Sequence, residues 1–272
     1  MAAILAVGTF GAFIGSFLNV VVYRVPLGRS VVSPASACGS CGHEIRWYDN
    51  IPLVSWLVLR GRCRDCDAGI SARYPLVELG TAVLLGLVAW RFVPEVAEAG
   101  AVAPTVAAVL QTVAFLYLAA ISLALAIIDL EVHRLPNALV LPAFPVGLAL
   151  FGISAALIGD AGPLLTALAA AALFTLIYAI PAFAIPGAMG MGDVKLAGVL
   201  GLYLGWLGVA PAGVGLIAGF LLGGGAGLVL LLRGQGRKAK IAYGPWLLAG
   251  AWAGIFLGEP LAEAYLSLYG LN

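Results

Sequence analysis

Residues 102–129 read VAPTVAAVLQTVAFLYLAAISLALAIID, an uncharged stretch that ends on the acidic residue Asp129. About 20 consecutive apolar residues are enough to cross the hydrocarbon core of a bilayer. An ionised carboxylate near hydrocarbon costs at least ~2.5 to 3.5 kcal/mol, so an acidic residue at that depth is expected to have a function. The stretch therefore predicts a membrane helix that carries a functional carboxylate at one end.

A second acidic residue, Asp193, has a similar setting. It ends the sequence Gly190-Met191-Gly192-Asp193, which closely follows another apolar run. Gly190 and Gly192 have no Cβ, so we expect the backbone there to take unusual dihedral angles and to approach a partner closely. Each aspartate also has a simpler interpretation, because Asp129 could mark a helix end and Asp193 could cap a helix N-terminus.

Composition identifies the class of protein. Hydrophobic residues make up 62% of the chain and charged residues only 10%, whereas soluble domains contain about 25% charged residues. The chain is therefore predicted to be an all-α, polytopic membrane protein. The basic residues are few and lie next to apolar runs, so they indicate contact with a membrane surface and not with nucleic acid.

Eight stretches are candidates for transmembrane helices. They are residues 3–23, 75–92, 102–128, 138–157, 164–185, 194–210, 212–232 and 245–258. The first lacks a basic start, which predicts a retained helix and not a cleaved signal. The predicted organisation is a first transmembrane helix (1–23), a hydrophilic block (24–74) and a multi-helix membrane domain (75–272).

The distribution of basic residues predicts the orientation. Seven of the 14 Lys and Arg residues lie between Arg24 and Arg73, and four more lie between Arg233 and Lys240. The connection at 93–101 contains acidic but no basic residues. By the positive-inside rule, the basic blocks are cytoplasmic. Counting helices from an N-terminus outside the cytoplasm then puts Asp129 and Asp193 on the same, cytoplasmic side.

The hydrophilic block contains all four cysteines, as Cys38-Gly-Ser-Cys41 and Cys63-Arg-Asp-Cys66. Two such turns can direct four thiolates at one tetrahedral Zn²⁺ ion in a closed, structural site. An approximate repeat supports the pairing, since Ile45 and Ile70 each follow the second cysteine of their pair by four residues. A block of about 50 residues is too small for a large core, so the metal is expected to be needed for folding.

Other kinds of cysteine or zinc site fit less well. Disulfides need an oxidising compartment, whereas the charge distribution puts this block in the cytoplasm. A redox motif would not need two copies. A catalytic zinc site would need an open coordination position and further ligands, but the chain has only His43 and His133, and His43 does not begin an H-E-x-x-H motif.

The two aspartates instead indicate acid–base chemistry. Two carboxyl groups held close together cannot both ionise, so the pair keeps one proton and can act as base and acid on the same water molecule. This predicts an aspartic peptidase. The alternatives are an ion-coupled transporter that uses the aspartates as a proton relay and a membrane-anchored zinc scaffold without catalysis. The chain does not show the paired, interrupted helices of inverted repeats.

Several motifs, in this order along the chain, resemble those of bacterial type IV prepilin peptidases, which are membrane aspartic peptidases with a Gly-x-Gly-Asp motif. They are residues 15–26 (GSFLNVVVYRVP), the paired cysteines, residues 73–78 (RYPLVE), Asp129 with Leu135-Pro136-Asn137, and residues 190–196 (GMGDVKL). Together they run through most of the chain.

The resemblance implies a bifunctional enzyme of the bacterial inner membrane. Such an enzyme removes the leader peptide of type IV prepilins and type II secretion pseudopilins, and then uses S-adenosylmethionine to methylate the new N-terminal residue. Position by position, the family's catalytic residues fall on Asp129 and Asp193. Its zinc ligands fall on Cys38, Cys41, Cys63 and Cys66.

Three further features have open interpretations. Asn19 lies within the first apolar run and is expected to form an interhelical hydrogen bond. Glu78 could hold the basic leader, assist methyl transfer, or pair with Arg73 or Arg24. A stripe of glycines recurs every four residues from Gly215 to Gly227, and it could pack against another helix of the same chain or receive the helix of a substrate.

Overall fold

The computed structural model describes residues 1–184, 189–234 and 242–270. In these ranges the α-helices are α1 (Ala2–Arg24), α2 (Val54–Val58), α3 (Arg73–Glu98), α4 (Val102–Val132), α5 (Asn137–Ile158), α6 (Gly162–Ala184), α7 (Met191–Leu207), α8 (Val209–Leu232) and α9 (Gly244–Ser267). Residue 185 of one predicted span and residues 235–240 of the predicted basic loop lie outside the described ranges.

Each of the eight predicted apolar stretches corresponds to a long helix. Among the described residues, six helices are long and apolar enough to cross a membrane, namely α1, α3, α4, α5, α6 and α8. The other two stretches form α7, which has 17 residues, and α9. Gly208, with φ +123°, separates α7 from α8 in a backbone conformation that favours glycine. The chain is a helical multi-pass membrane protein, as its composition predicts.

The helices form two compact units. The first comprises Met1–Pro94 and Phe115–Ala124, and the second comprises Glu95–Ala114 and Leu125–Asn272. Helices α3 and α4 therefore contribute residues to both. The cysteine block lies in the first unit, and both aspartates lie in the second.

In the first unit, α1 packs closely against α3 through glycine. A Cβ added to Gly15 would lie 2.6 Å from the Cα of Glu78, and one added to Gly11 would lie 3.0 Å from the Cα of Ala82. One turn after Gly15, the side-chain amide of Asn19 donates to the carbonyl oxygen of Tyr74 at 3.2 Å. The predicted interhelical hydrogen bond of Asn19 is therefore confirmed, and it lies on the helix seam that also carries Glu78.

In the second unit, the glycine stripe of α8 faces α9. A Cβ added to Gly254 of α9 would lie 2.8 Å from the Cα of Gly215, and one added to Gly250 would lie 2.5 Å from the Cα of Gly219. Gly215, Gly219 and Gly223 are buried. Of the two interpretations of the stripe, packing within the chain is therefore correct for these three glycines, which leave no open surface for the helix of a substrate.

Candidate functional site

Asp129 lies in the last turn of α4. The helix ends because His133 adopts a left-handed conformation, with φ +52°, and donates its backbone N–H to the carbonyl oxygen of Asp129 at 2.9 Å. Pro136, which precedes α5, cannot supply the N–H that a continuing helix would need. The side chain of Asp129 is only 5% exposed, so it is more than a solvated residue at a helix end.

Asp193 lies in the first turn of α7, outside the six helices that are candidates to cross the membrane. Its Oδ2 accepts a hydrogen bond from the backbone N–H of Gly190 at 3.2 Å. Asp193 therefore contributes to the cap from the third helical position, whereas the N-cap residue is Gly190 and not Asp193 as the simpler interpretation had it. Burial, and after it the negative charge of Asp129, raise the pKa of the Asp193 carboxyl to about 6, while the hydrogen bond from Gly190 N–H opposes the rise. The two carboxyl groups therefore share one electrostatic environment.

Leu135 lies between the parts of the site that carry the two aspartates. A Cβ added to Gly192, next to Asp193, would lie 3.0 Å from the Cβ of Leu135. A Cβ added to Gly244 would lie 3.1 Å from the Cδ2 of Leu135 and 2.9 Å from Oδ2 of Asp129. The two glycines therefore let the starts of α7 and α9 approach the segment that follows α4 closely.

The role expected for the two motif glycines is only partly correct. Gly190 has φ −79° and ψ 143°, an ordinary extended conformation, and Gly192 belongs to the helix. Neither needs unusual dihedral angles. Both are needed for space, because a Cβ on Gly190 would lie 3.0 Å from Oδ2 of Asp193 and Gly192 faces Leu135.

Sequence reasoning missed Gly244 as a member of the site. Its backbone N–H donates to Oδ2 of Asp129 at 2.9 Å, in a buried hydrogen bond across 115 positions of sequence. Gly244 begins α9 and precedes a proline. The Gly-Pro pair signals a helix start, but no local pattern links that start to Asp129.

Two further residues fix the neighbouring elements. Lys195 of α7 donates from Nζ to Oδ1 of Asn137, the first residue of α5, at 3.1 Å. Tyr178 of α6 and Tyr243 before α9 have their ring centroids 6.2 Å apart, and both lie near enough to Asp193 for its charge to act on them. The carboxyl groups are therefore surrounded by the ends of several helices of the second unit.

The cysteine block forms two matching knuckles. In the first, Cys38 N–H donates to the His43 carbonyl oxygen and Gly42 N–H donates to the Cys38 carbonyl oxygen, both at 2.9 Å. The second knuckle repeats this pattern. Cys63 N–H donates to the Ala68 carbonyl oxygen at 2.9 Å, and Asp67 N–H donates to the Cys63 carbonyl oxygen at 3.0 Å. The repeat extends to the predicted isoleucines, since the N–H of each donates to the carbonyl nine residues earlier, at 2.8 Å for Ile45 and 2.7 Å for Ile70.

The four sulfur atoms lie where one metal ion would need them. They are all within 4.8 Å of one another, and Sγ of Cys38 lies 3.8 Å from Sγ of Cys66. A tetrahedral Zn²⁺ with Zn–S bonds of about 2.3 Å has sulfur atoms roughly 3.8 Å apart. Hydrogen bonds from the backbone N–H of Cys41 and then of Ser40 lower the pKa of the Cys38 thiol to about 6, whereas hydrogen bonds with the other thiols raise the pKa of Cys66. The residues present therefore fit zinc.

Two ion pairs hold the knuckles to each other and to the chain between them. Arg46, just after the first knuckle, contacts Asp65 of the second at 2.8 Å. Arg64 of the second contacts Asp49 at 2.6 Å. The arginine side chains are exposed, so each pair contributes little to stability. Together the two pairs connect the segment that follows the first knuckle to residues of the second knuckle.

Glu78 belongs to the first compact unit. It is 8% exposed, and its Oε2 accepts a hydrogen bond from the backbone N–H of Leu53 at 2.7 Å. This hydrogen bond joins Glu78 to a backbone N–H and not to Arg73 or Arg24, the two partners considered from the sequence.

Comparisons with known proteins agree with the motifs. A model of the bacterial peptidase A24 N-terminal domain matches residues 9–92, and a model of the type IV leader peptidase family matches residues 116–232. The prepilin leader peptidase/N-methyltransferase of Pseudomonas aeruginosa is 35% identical over 300 residues, which cover 100% of this chain and 96% of that protein. The chain belongs to the type IV leader peptidase family.

Other relatives have the same name. Those of Aeromonas hydrophila and Pseudomonas putida are 35% and 34% identical and cover 95% and 96% of this chain, with 92% of each relative covered. No solved structure gives a significant match. Both aspartates lie in the segment that matches the leader peptidase family, whereas the cysteines and Glu78 lie in the segment that matches the N-terminal domain. The resemblance drawn from the motifs is confirmed, and no comparison points to a transporter.

Proposed function

We propose that the protein is a membrane aspartic endopeptidase that removes the leader peptide of type IV prepilins and type II secretion pseudopilins, and that it then methylates the exposed N-terminal amine with S-adenosylmethionine. The observation that carries the peptidase proposal is that Gly192, next to Asp193, and Gly244, whose N–H is bonded to Asp129, both pack against Leu135 within one compact unit. Family membership supplies the substrate class.

The proposed roles of the carboxyl groups follow from their shared charge. Because neighbouring carboxylates repel, the pair retains one proton to a higher pH than an isolated carboxyl group would. The ionised member takes a proton from a water molecule as that water attacks the scissile carbonyl carbon, and the protonated member donates to the carbonyl oxygen. The hydrogen bond from Gly244 N–H to Oδ2 of Asp129 orients this carboxyl group, and Gly190 N–H does the same for Asp193.

Neutral variants of the two aspartates test the proposal. Purified protein with Asp129→Asn or Asp193→Asn should cleave a prepilin at least about 100-fold more slowly, which is the usual minimum effect of removing an acid or base. Asp160→Asn is a matched control, because Asp160 lies in the same unit but accepts a bond only from Gly162 N–H in the exposed connection before α6. Normal cleavage by both variants would refute the aspartate pair.

We propose that cleavage occurs at the cytoplasmic face of the bacterial inner membrane. The distribution of basic residues supports this orientation, and a prepilin with a basic leader and an apolar helix would present its scissile bond at the same depth. After a chelator has removed zinc, protease added to inside-out vesicles should cut within residues 24–74. Cutting of that block in right-side-out vesicles would contradict the orientation.

We propose a structural zinc ion bound by Cys38, Cys41, Cys63 and Cys66. Four thiolates leave no open position for a substrate or a reactive water, so the ion would act by holding the two knuckles together. The sulfur separation supports this role.

A further inference from the structure

The stretch between the two cysteine pairs contains an apolar segment. Residues 51–59 read IPLVSWLVL, and Ser55 is the only polar residue among them. The segment is much shorter than the roughly 20 residues that cross a bilayer, and it contains the short helix α2. An apolar helix therefore lies within a block that is otherwise rich in charged residues.

One face of α2 is exposed. Val54, Leu57 and Val58 are 53%, 67% and 70% exposed, respectively, and residues three and four apart in a helix lie on one face. On the opposite side, the indole N–H of Trp56 donates to the carbonyl oxygen of Ile70 at 3.1 Å. A helix that is apolar on every side is normally covered on every side. The exposed face of α2 is therefore a contact surface for an apolar partner.

The segment meets α1 and α3 well inside the ends of these helices. Oγ of Ser16 donates to Oδ1 of Asn50 at 3.5 Å, and Ser16 precedes Arg24, the last residue of α1, by eight residues, which is about 12 Å along a helix. The N–H of Leu53 donates to Oε2 of Glu78, in the second turn of α3, at 2.7 Å. Both helices are candidates to cross the membrane. Basic side chains near the ends of such helices extend to the headgroups, so the segment reaches past Arg24 toward the hydrocarbon.

The backbone of the segment is satisfied by the protein itself. Three of its N–H groups donate to carbonyl oxygens four residues earlier at 2.9 to 3.1 Å, namely those of Ser55, Leu57 and Leu59. Before the helix, Ile51 N–H donates to Oγ of Ser55 at 3.1 Å, Leu53 N–H donates to Glu78, and Pro52 has no N–H. Non-helical backbone at membrane depth is tolerated only where protein or enclosed water satisfies it. The segment meets this requirement.

Two arginines follow the segment. Arg60 comes directly after Leu59 and Arg62 follows two residues later, and both are exposed. Arg46 and Arg64 are paired with aspartates, whereas Arg60 and Arg62 form no ion pair within the described part of the chain. Arginine can lay its aliphatic stem along apolar surface and hold its charge at the anionic headgroups of lipid. An apolar face bordered by such arginines is typical of a segment that lies in a membrane interface.

We propose that residues 51–59 are inserted into the leaflet next to the cysteine block, with Val54, Leu57 and Val58 against lipid acyl chains and with Arg60 and Arg62 at the phosphates of anionic lipids. The depth of the contacts with α1 and α3 favours lipid over a protein partner in the aqueous phase. Because α2 is bonded to the second knuckle, this insertion holds the paired cysteines at a fixed height above the bilayer.

A photoreactive side chain at position 57 tests the contact with lipid. Leu57 is replaced, in the full chain, by an aliphatic amino acid that carries a diazirine, and the protein is reconstituted in vesicles of phosphatidylethanolamine and phosphatidylglycerol. Since Leu57 is exposed, the replacement should leave the fold intact, which circular dichroism checks. After irradiation, mass spectrometry should identify phospholipid adducts at position 57. The matched control carries the diazirine at Glu44, an exposed residue of the first knuckle, and should react with water.

Neutral variants test the contact with headgroups. With both arginines present, phosphatidylglycerol should be enriched among the adducts at position 57 by about fivefold over its share in the vesicles. Arg60→Gln combined with Arg62→Gln should remove this enrichment, while phospholipid adducts persist. Adducts without enrichment in the protein that has both arginines would overturn their proposed role.

A second sample contains an added prepilin, so that competing partners can be recognised. Adducts at position 57 with water, with a second copy of the chain or with the prepilin, in place of lipid, would overturn the insertion. Equal labelling of lipid from positions 57 and 44 would overturn it too, because the exposed face of α2 would then be no closer to lipid than the first knuckle is.

Discussion

Gly244→Ala tests whether the backbone around Asp129 sets the geometry of cleavage. The new Cβ would lie 2.9 Å from Oδ2 of Asp129 and 3.1 Å from Cδ2 of Leu135, whereas ordinary contacts begin at 3.4 Å. The carboxylate would therefore have to move by roughly 0.5 Å, and overpacking of this kind costs about 1 to 3 kcal/mol. If the strain falls on the reacting carboxylate, cleavage slows by roughly 5- to 150-fold.

The assay is single-turnover cleavage of a prepilin by purified protein in detergent, with helical content followed by circular dichroism. Gly224→Ala is the matched control, because a Cβ there meets no atom within 4 Å, and it should cleave normally. If Gly244→Ala cleaves as fast as the wild type while the control is also normal, the hydrogen bond between Gly244 and Asp129 does not position the carboxylate, and the reasoning fails.

Two further predictions concern pH and metal. Because the folded protein raises the pKa of Asp193 from 3.8 to about 6, it retains a proton that the unfolded chain releases, so wild-type stability falls as pH rises through that interval. Asp193→Asn should therefore have a higher melting temperature than the wild type above pH 6 and nearly the same one at pH 4, and a difference independent of pH would contradict this. Strong chelators, or the substitution Cys63→Ser, should remove zinc, and mass spectrometry measures the loss. Residues 24–74 should then become sensitive to protease. If this block stays resistant to protease without metal, zinc has no structural role.

The sequence predicted those features that depend on short patterns. The lengths of the apolar runs predicted the long helices, because a helix must satisfy its own backbone in lipid. The spacing of the cysteines predicted the clustering of the four sulfur atoms, because each C-x-x-C turn brings two thiolates together. The repeat at Ile45 and Ile70 was also informative, since both residues close their knuckles with the same hydrogen bond.

Features that depend on distant contacts were not predictable. Gly244 reaches Asp129 across 115 positions, and no periodicity encodes that pairing. Leu53 has φ +62°, a conformation that leucine does not favour, and its N–H donates to Oε2 of Glu78, 25 positions away in the sequence. Gly190 shows the opposite limitation, because the residue type suggested unusual backbone angles, whereas the contacts show that space was the requirement. Local sequence indicates what a residue permits, and tertiary packing decides which of those properties is used.

The seam between α8 and α9 consists of backbone more than of side chains, since Gly215 and Gly219 meet Gly250 and Gly254. Glycine has no rotamers, so forming this contact loses no side-chain entropy. Association of the two helices is therefore not opposed by a loss of side-chain rotamer entropy. That opposing free energy would grow with temperature. Gly244 begins the helix on one side of this seam, and the donor to Asp129 is consequently held in place by an interface that warming should loosen less than one built from long side chains.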